Sequence, residues 1–148
     1  NNKINCILAG KDGKVWVRNF ERIARKLENA RESLPEPILT LHEGAEIGII
    51  GSGSVDPSII EARDMLKERG LSTDYLRIRG VPFSKEVKKF IDAHSITYVV
   101  EINRDGQLFQ LLTNDYRESA YKLRKVAYMD GLPLTAKFIR NKIQAKED

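Results

Sequence analysis

Residues 47–70 read IGIIGSGSVDPSIIEARDMLKERG. The apolar run Ile47–Ile50 is too short for a helix and is bounded by glycine, so it predicts a strand buried on both faces. Beyond the Gly51–Ser54 loop, Ile59, Ala62, Met65 and Leu66 recur at helical spacing. Strand, glycine loop and helix is how many phosphate-binding proteins begin. Here the third position of a G-x-G-x-x-G pattern is Asp56, and no P-loop lysine follows. Asp56-Pro57 reads as a helix start, with the carboxylate as N-cap and proline at the first helical position. That carboxylate would hold the positive end of the helix, where a phosphate would need free N–H groups. The glycines are therefore expected to serve the sharp exit from strand to helix.

The flanking sequence repeats the alternation. ILTLH (38–42), between prolines, reads as an edge strand, TDYLRIR (73–79) as a half-buried strand, and ITYVVEI (96–102) as a central one. KLRKVAY (122–128) is the last strand. Helices are expected over 57–69, 84–94, 106–115 and 135–144, the last with Thr135 as N-cap. Strands alternating with helices imply crossover connections and a parallel sheet. The expected fold is a three-layer α/β/α sandwich of four parallel strands, with 38–42 as a fifth at the edge. Upstream, Phe20, Ile23, Ala24, Leu27 and Ala30 mark an amphipathic connector helix over 17–33, stopped by Pro35 and Pro37. The expected division is 1–36, the end of a preceding domain plus this connector, and 37–148, the α/β domain. INCILAG (4–10) reads as a short strand or the end of something preceding.

Composition narrows the function classes. The chain has 148 residues, 41% hydrophobic and 31% charged, which is ordinary for a water-soluble globular domain. The 25 basic and 21 acidic residues interleave without a basic stripe or stacking aromatics, which argues against a nucleic-acid partner. No apolar run approaches the ~20 residues of a membrane span, and no signal peptide opens the chain. The single cysteine, Cys6, allows no internal disulfide and fits a reducing, cytoplasmic setting. His42 and His94 lack metal-ligand spacing, and no CxxC pair or nucleophile elbow occurs, so no metal site and no catalytic residue is expected. His94 reads as a surface residue at a helix C-terminus. In open parallel sheets ligands collect at the carboxyl ends of strands. The polar residues there are Gly51, Ser52, Gly53, Ser54, Arg79, Glu101, Asn103, Asp105 and Gln107, the candidates for a ligand site or a subunit interface.

Four segments, FERIARKLENARESLPEP with GAEIGIIGSGS, LRIRGVPFSKEVKKFI, VVEINRDGQLFQLL and VAYMDGLPLTAKFI, occur in the order and spacing of a known family. Over about Val17 to Ile143 the chain resembles the carboxy-terminal part of the α subunit of 2-oxoacid:ferredoxin oxidoreductases, nearest the 2-oxoglutarate branch. It departs at Val81, where the family often has an aromatic residue, and at Leu134, where it has phenylalanine. The resemblance implies a transketolase carboxy-terminal-domain-like fold whose edge strand, 38–42 here, runs antiparallel. It implies a reaction for the whole enzyme: 2-oxoacid, CoA and oxidised ferredoxin give acyl-CoA, CO2 and reduced ferredoxin. It also implies β, and in some members γ and δ, subunits as partners, with ferredoxin engaged through the holoenzyme. The cofactors it implies for the holoenzyme are thiamine diphosphate, Mg, CoA and iron–sulfur clusters. The chain lacks a GDG-type thiamine motif and grouped cysteines, so no cofactor is expected in it and it is expected to be inactive alone. The competing expectation is a self-sufficient module that binds a nucleotide or CoA phosphate at Gly51–Ser54.

Overall fold

The computed structural model describes residues 13–147. Cys6 and the short-strand reading of 4–10 lie outside them. The chain divides into two compact units, Asn1–Leu34 and Pro35–Asp148. In the first, helix α1 spans Gly13–Ser33 and has no buried residue. Trp16, Val17, Phe20, Ile23 and Leu27 are exposed along it, with the Trp16 and Phe20 rings 4.0 Å apart.

The second unit follows the alternation read from the sequence. Its strands are β1 (Ile38–Thr40), β2 (Ile47–Ser52), β3 (Thr73–Ile78), β4 (Ile96–Glu101) and β5 (Leu123–Ala127). Its α-helices are α2 (Asp56–Lys67), α3 (Lys85–Ala93), α4 (Gln107–Asp115) and α5 (Ala136–Glu147). Thr135 Oγ1 accepts the Phe138 N–H at 3.3 Å, as expected of the N-cap of α5. The sheet order is β1-β3-β2-β4-β5. β2 pairs in parallel with both β3 and β4, β4 with β5, and only β1 is antiparallel. The chain leaves β2 for β3 on one side and then crosses to β4 on the other. The carboxyl ends of β2 and β4 thus flank the topological switch point, where open sheets form a crevice.

Side chains alternate across the pleat and feed two cores. Ile49, Tyr75, Tyr98 and Val126 meet Ile59, Ala62 and Leu66 of α2 and Ile139 and Ile143 of α5. Ile50, Leu76, Val99 and Leu123 face Val87, Phe90 and Ile91 of α3 and Leu112 of α4. Near the end of β2, position 51 is a glycine because α2 comes so close: an added Cβ would lie 2.3 Å from Ile59 Cδ1. Gly51 therefore serves the packing of strand on helix, whereas Gly53, at φ +63°, takes the left-handed turn out of the strand.

Two sequence-based expectations change. Asp56 opens α2 but makes no side-chain cap bond to its backbone. Its carboxylate accepts the Tyr75 O–H at 2.9 Å and pairs with Arg77 Nη1 at 3.1 Å, because β3 sets both partners beside it. Burial, helped by the bond to Asp56, raises the Tyr75 phenol above its ordinary range. His94 is buried, not a surface cap. The chain turns directly from α3 into β4, and Ser95 N–H bonds to the Glu46 carbonyl, which folds the ring under the sheet. His94 Nδ1 lies 2.6 Å from the Phe90 carbonyl and Nε2 3.1 Å from Asp74 Oδ2. Both ring nitrogens face oxygens. Asp74 Oδ1 also accepts the His42 N–H at 2.7 Å.

Removing the Asp74 carboxylate leaves the His42 N–H without its acceptor and His94 Nε2 without its partner inside the fold. Asp74→Ala is expected to lower stability by about 1–3 kcal/mol in urea unfolding, the range for a buried donor left unsatisfied. Ile60→Ser, on the exposed face of α2, should stay within about 0.5 kcal/mol. Equal effects would remove Asp74 from the fold's determinants.

Candidate functional site

The crevice between the carboxyl ends of β2 and β4 has a volume of about 350 Å³. It brings together Ser52, Gly53, Ser54, Glu101, Asn103 and Gln107 of the residues singled out from the sequence. Gly51 lies beneath it in the packed end of β2. Arg79 does not line it; its Nη1 donates to the Glu36 carbonyl at 3.5 Å. Asp105 is exposed and turned to its neighbour, with Arg104 Nε 2.7 Å from its Oδ1. The sequence reading missed the apolar wall of Val55, Ile102, Leu108 and Leu111. Its one signal was a helix, QLFQLLTND, with more apolar residues than a single core-facing stripe needs.

The floor is a capping network built from the E-x-N-x-x-G-Q segment. Glu101, at the end of β4, is buried. Its Oε2 accepts the Leu108 N–H and its Oε1 the Phe109 N–H, each at 2.9 Å. Asn103 Nδ2 donates to Glu101 Oε2 as well. Asn103 Oδ1 accepts the N–H groups of Gly106 at 2.6 Å and Gln107 at 3.2 Å. The next amide, Gln110 N–H, already bonds to the Gly106 carbonyl within the helix. A helix begins with about four amides that lack an intrahelical partner. At α4 they are all taken by Glu101 and Asn103. Gly106 makes the turn possible: its φ is +75°, and a Cβ there would lie 2.4 Å from Lys125 Cδ.

The α4 side of the crevice is therefore closed to the anion binding that helix N-termini usually perform. The amides of α4 are occupied, Asp56 stands at the head of α2, and the lining holds one carboxylate and no lysine, arginine or histidine. Ser52, Ser54 and Gln107 are the neutral polar groups left on its surface. A phosphate would find no lysine, arginine or histidine in the lining and no free amide at the start of α4. Among the described residues, no group of three His, Cys, Asp or Glu could hold a metal ion. No helix among them is long and apolar enough to cross a membrane.

The loops that follow the parallel strands expose apolar side chains at this same edge. Val81 follows β3, Ile102 follows β4, and Met129 and Leu132 follow β5; all four are at least 40% exposed. Asp130 steadies the last loop, accepting the Leu132 N–H at 2.8 Å and the Tyr128 O–H.

No family model matches the sequence. The chain is 32% identical over 114 residues to the α subunit of 2-oxoacid:ferredoxin oxidoreductase 1 from Aeropyrum pernix, a match covering 72% of this chain and only 17% of that one. A solved 2-oxoglutarate:ferredoxin oxidoreductase from Magnetococcus marinus, with 2-oxoglutarate, coenzyme A and succinyl-CoA bound, has the same fold. Its TM-score is 0.75 at 20% identity, over 93% of this chain and 24% of that one. A split-gene transketolase solved as an inactive β4 tetramer aligns with a TM-score of 0.60 at 18% identity, over 73% of this chain and 41% of its own. The α/β fold with an antiparallel edge strand, read from the resemblance, thus has transketolase-like neighbours.

Glu101 should report on the capping network. Glu101→Gln keeps the shape but turns a donor toward amides that need an acceptor. It is expected to cost about 1.5–3 kcal/mol, the range for hydrogen bonds to a charged group. Amide exchange at Leu108 and Phe109 should rise with it. Unchanged protection at those two amides would contradict the capping role.

Proposed function

We propose that this chain, which fits the carboxy-terminal domain of a 2-oxoacid:ferredoxin oxidoreductase α subunit, contributes assembly and not chemistry to that enzyme. The full reaction would be the CoA-dependent oxidative decarboxylation of a 2-oxoacid, with thiamine diphosphate, Mg, CoA and iron–sulfur clusters held by other parts of the enzyme. The observation that carries this reading is the internal use of the E-x-N-x-x-G-Q segment. Glu101 and Asn103 bind the amides of α4, which leaves that helix N-terminus without donors for a pyrophosphate. The residues present at the carboxyl edge do not fit thiamine diphosphate or a CoA phosphate, because the crevice offers a carboxylate and neutral groups. This argues against the self-sufficient phosphate-binding module.

The same loops support a role in contacts between subunits or domains. Val81, Ile102, Met129 and Leu132 are apolar, exposed and carried on short turns at one edge of the sheet. Exposed apolar side chains gathered in this way suit a protein partner better than a small anion. The partners proposed are the β subunit and, through the assembled enzyme, ferredoxin; the 2-oxoglutarate branch is the substrate class proposed.

The isolated chain is expected to show no 2-oxoacid turnover with CoA and a dye acceptor, and no thiamine diphosphate binding by calorimetry. Turnover by this chain alone would overturn the reading. In an α subunit that carries this domain, Met129→Glu with Leu132→Glu is expected to weaken assembly with the β subunit by gel filtration. The same pair should change the isolated chain's stability by no more than about 0.5 kcal/mol per site, as exposed positions do. An unaltered assembly would remove this edge as the contact.

A further inference from the structure

The opposite end of the sheet holds a cation that the fold only partly satisfies. Arg63, on α2, is 8% exposed. Its Nε donates to the Thr73 carbonyl at 3.2 Å. Its Nη2 donates to the carbonyls of Thr73 at 2.7 Å and Thr40 at 3.2 Å, and to His42 Nδ1 at 2.8 Å. These bonds tie α2 to β1 and β3, and all their acceptors are neutral. Among the described residues no carboxylate lies within ion-pair distance of Arg63, and Nη1 makes no hydrogen bond. Burial weakens the guanidinium's hold on its proton, against the opposing charges of Asp74 and Asp64. Buried arginines ordinarily have an anionic partner.

Beside it lies a recess of about 40 Å³ whose walls include Arg63, His42, Lys67, Ser72 and Asp64. The bond from Arg63 sets the histidine's tautomer: Nδ1 accepts, so the ring proton sits on Nε2. That N–H has no partner among the described residues. Around the recess stand one guanidinium, one imidazole N–H and one ammonium against a single carboxylate.

We propose that this recess is a carboxylate-binding site. Arg63 Nη1 and His42 Nε2–H would donate to the two oxygens. Lys67, exposed at the same wall, would add its charge, and the Ser72 hydroxyl a further donor. Asp64 opposes entry and keeps the site weak and selective for a single negative charge. The carboxylate can arrive on a free small acid or on an acidic side chain of a polypeptide. This site stands apart from the carboxyl edge and does not depend on the assembly reading above.

The test is side-chain nitrogen NMR of the whole chain, following the Arg63 and His42 signals at constant ionic strength. The probes are sodium acetate, N-acetyl-glutamate α-amide and inorganic phosphate. Acetate is expected to shift both signals saturably. Lys67→Ala, at an exposed position, should weaken acetate several-fold without unfolding the chain, and His42→Phe should abolish the saturable Arg63 shift. Tighter binding of the glutamate amide than of acetate assigns a polypeptide side chain as the source, and equal or weaker binding a free small acid. The proposal fails if neither carboxylate shifts Arg63 saturably. It also fails if phosphate binds more tightly than acetate, or if Lys67→Ala leaves the acetate affinity unchanged.

Discussion

The carboxylate of Glu101 decides what the carboxyl edge of this sheet can be. It sits at the last residue of a buried central strand and bonds the amides of Leu108 and Phe109, while its neighbour Asn103 bonds those of Gly106 and Gln107. A helix N-terminus over an open sheet is normally the place where an anion is met by unpaired N–H groups. Here the anion is the protein's own. The loop between β4 and α4 is pinned by it, and Ile102 is left pointing away from the core. What the edge then presents is side chains on short, held turns instead of backbone donors. Such side chains suit the assembly role proposed above.

The two ends of the sheet treat buried charge in opposite ways. At the carboxyl end an anion is satisfied by amides, so the site is complete in itself. At the other end Asp74 is shared between the His42 amide and His94, and Arg63 rests on carbonyls of β1 and β3. Neutral carbonyls hold a guanidinium in place without cancelling its charge. The first arrangement explains why the N-terminus of α4 has no donors left for a ligand. The second explains why a less conspicuous recess is open.

Much of this molecule is legible along the chain. Ile47–Ile50 and the Tyr98–Val100 stretch are apolar at every position, so they could only be strands covered on both faces. The helical spacing of Ile59, Ala62 and Leu66 could only be an inward stripe, and the alternation of the two imposes a crossover topology. Those inferences rest on periodicity, a property of neighbouring residues, and the order and bounds of the elements agree with them to within a few residues.

The partners of the charged groups were not legible, because they depend on which strands lie side by side. Asp56 read as a helix cap; with β3 placed next to β2, Tyr75 and Arg77 claim its carboxylate. His94 read as exposed; the direct turn into β4 brings it under the sheet against Asp74, twenty residues away in sequence. Asp105 and Arg79 shared the polar character of Glu101 and Asn103, yet only the latter two face the crevice. By itself the sequence determined the elements, the two-faced burial of the central strands and the parallel crossover frame, since hydrophobic spacing acts locally. The tertiary structure alone decided which polar groups are satisfied and which remain to bind something else, since a hydrogen bond or ion pair is settled by distances between atoms that strand order, not sequence spacing, brings together.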